Sequence, residues 1–203
     1  MERYIRQHNS GKDVIHFKSR VICIEDSGNT MTVKIANGAT KKYSHVISTL
    51  PVPVLRTVNL TNAGLTVKQS VALRQLQYGP SIKVGIRFNS AWWTKDPISI
   101  FGGQSFTDRP VRTIVYPSYG DGALSEAEST VLIASYCWTN DAERTGSLIG
   151  TDDKDVEEQL KLLVLEDLAI VHGVKLEMLL AEYKEIYAWD WNHSPHTMGA
   201  SHR

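Results

Sequence analysis

Tyr78-Gly79-Pro80-Ser81-Ile82-Lys83-Val84-Gly85-Ile86-Arg87-Phe88-Asn89-Ser90-Ala91-Trp92-Trp93 opens on a turn signal, Gly79-Pro80, and then alternates. Ile82, Val84, Ile86 and Phe88 fall on one side and Ser81, Lys83, Gly85 and Arg87 on the other. A period of two predicts a strand with one apolar and one polar face. Glycine inside a strand leaves main chain bare where another group can approach closely, so Lys83 stands beside a gap on the polar face.

Outward from this strand, two further segments set the architecture. Residues 182–191, Glu-Tyr-Lys-Glu-Ile-Tyr-Ala-Trp-Asp-Trp, also alternate, and the spacing puts Tyr183, Tyr187, Trp189 and Trp191 on one face. Such rings either cover a core or wall a cavity, because exposing them is costly. Thr151–His172 predicts a long helix. Asp152, Asp153 and Asp155 suit its positive end, Val156, Leu160, Leu163, Val164, Leu168 and Val171 form a broad apolar face, and Gly173 follows as a C-cap.

The remainder reads as shorter pieces. A helix or fray over 1–7 precedes a β-meander over 13–49, with strands at 13–18, 20–25, 30–36 and 41–49, a hairpin at Asn37-Gly38, and Val46 and Ile47 buried. Pro51 and Pro53 end it. Residues 66–77 predict a helix capped by Thr66. Strands are expected at 98–101, 112–116 and 130–137, with turns at Gly102-Gly103 and Gly120-Asp121-Gly122, and a short helix at 176–181. The class is α+β: a meander followed by a mixed or antiparallel sheet with packed helices.

Composition narrows the function. Among 203 residues, 22 are basic and 22 acidic, so no large field draws in nucleic acid. No apolar run approaches the ~20 residues of a membrane helix, and the first residues hold no signal-peptide core. The chain therefore reads as soluble, with its compartment unassigned. Cys23 and Cys137 sit in strand-like apolar runs and read as buried thiols. His193 and His196 lie three apart with Asp190 nearby, but no cysteine or further carboxylate completes a metal set, so none is expected and the stretch reads as an exposed turn. Gly-x-Ser-x-Gly and P-loop motifs are missing.

The order of these segments resembles the flavin-containing amine oxidases, the family of monoamine and L-amino-acid oxidases. The resemblance is carried by the lysine strand running into Trp92-Trp93. It is carried also by Val-Ile-Cys-Ile-Glu over 21–25, Thr-Val-Lys-Ile over 32–35, Asn37-Gly38 and His-Val-Ile-Ser-Thr-Leu-Pro over 45–51, and by Trp191 followed at a short distance by Gly199-Ala200. It implies residues 1–56 as the rim of an FAD domain and 57–203 as a substrate domain. It implies FAD as cofactor, with Val21 at the adenine end, Trp191, Gly199 and Ala200 along the flavin, and Lys83 reaching the flavin N5 region through a water. Tyr187 and Trp189 would wall the substrate cavity. An acidic substrate would want an arginine there, Arg87 or Arg112.

The chemistry so implied is oxidation of a C–N bond to an imine, with hydride passing to flavin and dioxygen becoming peroxide. The family's Gly-x-Gly-x-x-Gly phosphate cradle is missing from this sequence. The expectation is thus a central fragment that binds FAD poorly alone and works with a separate FAD-binding chain or further parts of the same protein. The alternative is a non-catalytic binding or assembly module that keeps the substrate-domain fold.

Overall fold

The computed structural model describes residues 2–9, 14–118 and 129–201. The chain forms two compact units, Met1–Gln77 and Tyr78–Arg203. The resemblance places a domain boundary at 56/57, whereas residues 57–77 pack with the first unit.

The first unit contains α1 (Glu2–His8), then β1 (Val21–Asp26), β2 (Met31–Ile35) and β3 (Thr40–Tyr43), an antiparallel meander in that order. Two turns use glycine at positive φ, Gly28 and Gly38, as Asp-Ser-Gly-Asn and Asn-Gly predict. One expected strand is not formed and another is cut short. Residues 14–18 are irregular, and the third strand stops at Tyr43, leaving Ile47 90% exposed. The Val46-Ile47 pair is apolar, but the sheet supplies no further strand for it to join. A four-residue helix, α2 (Val52–Leu55), follows Pro51, then α3 (Val67–Gln75). Thr66 and Gln69 make a reciprocal capping box at the start of α3, and the Arg56 guanidinium donates to the Leu73 and Leu76 carbonyls at its end. Val67 and Leu76 nevertheless stand exposed.

The second unit is built on β5 (Ser81–Phe88), entered through the two-residue β4 (Tyr78–Gly79). A 3₁₀ turn, Trp92–Thr94, buries both tryptophans. After it come β6 (Gln104–Phe106), β7 (Thr113–Val115), β8 (Val131–Trp138), α4 (Thr139–Gly146), α5 (Lys154–His172), α6 (Leu176–Glu182), β9 (Tyr183–Asp190) and β10 (Ala200–Ser201). The strand expected at 98–101 is irregular and β6 forms just beyond it; the Gly120-Asp121-Gly122 turn lies outside the described residues. The five-stranded sheet runs β6-β7-β8-β5-β9, antiparallel throughout, and β10 pairs with β4.

One face of this sheet carries the core. Ile82, Val84, Ile86 and Phe88 are each 0% exposed and pack with Leu132, Ala134, Leu160, Val164, Leu165 and Leu168. α5 begins with Asp153 accepting from the Asp155 N–H and ends at Gly173 in the left-handed region, where a side chain would be strained. Buried Asp167 on α5 takes the Arg109 guanidinium at 2.5 Å and the Val111 N–H at 3.3 Å, tying the helix to the approach to β7. Burial pushes the Cys137 thiol up to about 11, leaving it an unreactive small apolar group.

Truncating the centre of this layer tests its weight. Ile86→Ala is expected to destabilise the chain by about 2–5 kcal/mol, read as a lowered urea midpoint at unchanged slope.

Candidate functional site

The opposite face of the same sheet carries half-buried and exposed residues rather than a sealed layer. Register fixes what stands on it. β5 pairs Lys83 with Tyr136 on one side and Trp189 on the other, and Gly85 with Ile133 and Tyr187. Directly paired residues point the same way, so Lys83 lies between two rings on one rung, and bare Gly85 lies between Ile133 and Tyr187 on the next. Arg87 and Glu185 make the following rung, joined at 3.1 Å.

Tyr183 does not share this face. β9 bulges where Arg87 pairs with Glu185 but Phe88 pairs with Tyr183. Skipping Lys184 turns Tyr183 to the core side, where Lys161 Nζ sits 5.1 Å from its ring. Tyr187, Trp189 and Trp191 do follow one another, with centroids 6.4 Å and 6.5 Å apart.

Lys83, Gly85, Ile133, Tyr187, Trp189 and Trp191 enclose an open trough of about 410 Å³. Small-molecule sites commonly span ~300–1,000 Å³. The Lys83 ammonium is 4.6 Å from the Tyr136 ring centre and 5.4 Å from that of Trp191, so two aromatic faces flank it. Tyr187 is 67% and Trp189 40% exposed, so the walls are open to an incoming planar group. A Cβ added to Gly85 would meet only ordinary contacts, at 3.7 Å or more, so the bare floor is not demanded by the chain's own packing. The arrangement offers a cation beside a flat apolar slot.

Trp191 reaches this slot because its main chain is held. Its N–H donates to the Ser81 carbonyl at 3.0 Å, and its own carbonyl accepts from Gly199 N–H and from the Thr197 hydroxyl, both at 2.7 Å. Gly199 has φ +122°, and a Cβ there would lie 2.6 Å from that of Tyr78. Ala200 then pairs with Gly79. Gly199 is thus required by Tyr78 itself. Val21 stands in the first unit, half-buried at the start of β1, and lines a separate concavity of about 360 Å³ with Val33, Ile35 and Tyr43.

Sequence reasoning missed Tyr136 and Trp138, whose rings lie 4.4 Å apart on β8. Their alternation with Ser135 and Cys137 could have revealed them. The two arginines held open are both engaged, Arg87 with Glu185 and Arg112 with Asp141 of α4 at 3.2 Å. Among the described residues no group of three or more metal-ligating side chains gathers, and no helix is long and apolar enough to cross a membrane. Asp190 and His193 instead form a close pair at 2.6 Å.

Comparison with known proteins finds that residues 1–201 match the family described as flavin containing amine oxidoreductase. L-amino-acid oxidase 4 of Hebeloma cylindrosporum is 58% identical over 174 residues, covering 83% of this chain and 28% of that protein. The L-amino-acid oxidase of Mus musculus is 33% identical over 190 residues, covering 88% of this chain and 26% of that protein. The chain therefore spans only a minor part of these relatives' length. Wild-type putrescine oxidase bound to putrescine superposes with a TM-score of 0.71 at 19% identity, over 98% of this chain and 40% of that one, which shows a shared fold.

Gly199→Ala is expected to loosen the β4–β10 pairing, at a cost of about 1–3 kcal/mol. Faster hydrogen exchange at the Gly79 and Ala200 amides, with the β5–β9 amides unchanged, checks it.

Proposed function

Since the chain belongs to the flavin-containing amine oxidoreductase family, we propose that it supplies the substrate-domain wall of an FAD-dependent L-amino-acid or amine oxidase. The observation that carries this reading is the meeting of Lys83 and Trp191, 5.4 Å apart, in one aromatic trough whose floor is Gly85.

The residues present fit the isoalloxazine part of the cofactor. A fused planar ring needs a flat apolar wall and a floor without a side chain, which Trp191 and Gly85 provide. When bound, the flavin supplies the redox step, accepting hydride from the substrate C–N centre. This chain's residues do the rest. The aromatic walls of Tyr187 and Trp189 orient an apolar amine or amino acid side chain and exclude water. The Lys83 ammonium stabilises negative charge where it develops and holds a water at its own Nζ through which a proton can pass. Trp191 closes the slot behind it. Val21 serves the adenine end of FAD in the first unit, and Gly199 and Ala200 carry the chain past the ring.

A chimaera provides the test. This chain is placed in the Hebeloma oxidase in exchange for the stretch it matches, and peroxide is measured with L-amino acids and simple amines. The expected outcome is a yellow protein that makes peroxide. Lys83→Met should keep the flavin absorbance and lower turnover about 100-fold, the scale of losing one electrostatic stabiliser. Gly85→Leu should fold but lose the flavin. A colourless chimaera, or one indifferent to Lys83→Met, overturns the reading.

A further inference from the structure

The turn beyond β9 is built around a buried charge. The Asp190 carboxylate is only 6% exposed. Its Oδ1 accepts from the Asn192 N–H at 2.7 Å and the His193 N–H at 3.4 Å, and its Oδ2 takes Nδ1 of His193 at 2.6 Å. α4 leaves room for it, since a Cβ on Gly146 would lie 2.6 Å from Oδ2. A buried carboxylate is costly unless a counter-charge and hydrogen bonds meet it. His193 is that counter-charge when protonated, and its ring is 65% exposed, within reach of solvent protons.

Trp191 lies inside this turn, between Asp190 and Asn192. We infer that Asp190 and His193 are positioning residues for Trp191: the charged pair tightens the turn, and the turn holds the indole toward Lys83. This rests on the reading of Lys83 and Trp191 as the flavin-facing pair, and adds that a proton outside the trough sets its geometry.

The groups facing His193 are Asp190 at the end of β9 and Glu143 on α4, whose Oε1 is 3.5 Å from Asn192 Nδ2. Asp141, on the same helix, is paired with Arg112 at 3.2 Å and Arg144 at 3.8 Å. The hydrogen bond to Asp190, and next the charge of Asp190, hold the His193 imidazolium above the ordinary histidine range, against a smaller desolvation effect; Glu143 adds to them. A raised folded-state value contributes stability that is complete below the unfolded value, about 6.5, and lost as pH rises through the folded one. The turn is therefore tight in mild acid and slack in base.

The test uses the unsubstituted chain without flavin, following indole and imidazole resonances by NMR, with Trp191 assigned through Trp191→Phe. The Trp191 indole N–H is expected to shift with pH in step with the His193 ring protons, at a midpoint above about 6.5. The upfield ring-current shift of the Lys83 methylenes should shrink over the same range. His193→Gln keeps a hydrogen-bond donor without the charge, at an exposed position that leaves folding intact, and should abolish the Trp191 titration. Asp190→Asn should return the His193 midpoint to about 6.5. A Trp191 resonance that stays flat in the unsubstituted chain, or one that still titrates in His193→Gln, overturns the inference. No flavin enters these measurements, so their failure is separable from that of the oxidase chimaera.

Discussion

The phase of β5 governs everything else in the second unit. Its odd residues face one way and its even residues the other, and four of the even ones are sealed in the core. A slip by one residue would bury Lys83 and expose Ile82, Val84 and Ile86, so the apolar layer enforces the register. Two full-length neighbours, β8 and β9, copy that phase outward. The position of the ammonium in the trough is thus a by-product of hydrophobic burial on the other side of the sheet.

Pairing alone brings Tyr136, Ile133, Tyr187 and Trp189 to the lysine, but not Trp191, which lies past the end of β9. Its placement uses a different kind of force. A hydrogen bond to the Ser81 carbonyl and others from Thr197 and Gly199 fix its main chain, and a buried carboxylate fixes the bend around it. The sheet contributes rigidity and the turn contributes aim. A binding site needs both, because a ring displaced by about 1 Å can cost a catalytic site on the order of 100-fold.

What the sequence disclosed follows the strength of local signals. Alternation located β5 and β9, and apolar face and glycine stop located the end of α5 to the residue, while its start falls at Lys154 rather than Thr151. Family resemblance singled out Lys83 and Trp191, which do meet. The failures share a cause, in that each needed a partner not visible locally. Residues 44–49 look like strand but have no neighbour to pair with, and Tyr183 obeys the alternation until a bulge one residue later reverses it. The Asp190–His193 pair reads from sequence as part of an exposed turn with no complete metal set. Its real setting depends on Gly146, far away in sequence, giving up its side chain.

β9 has a neighbour on one side only among the described strands. Lys184 and Glu185 guard the first half of its open rim with charge, the usual defence against edge-to-edge stacking. The second half offers Tyr187, Ala188 and Trp189 with no such gatekeeper, in a chain with no net charge near neutrality to keep copies apart.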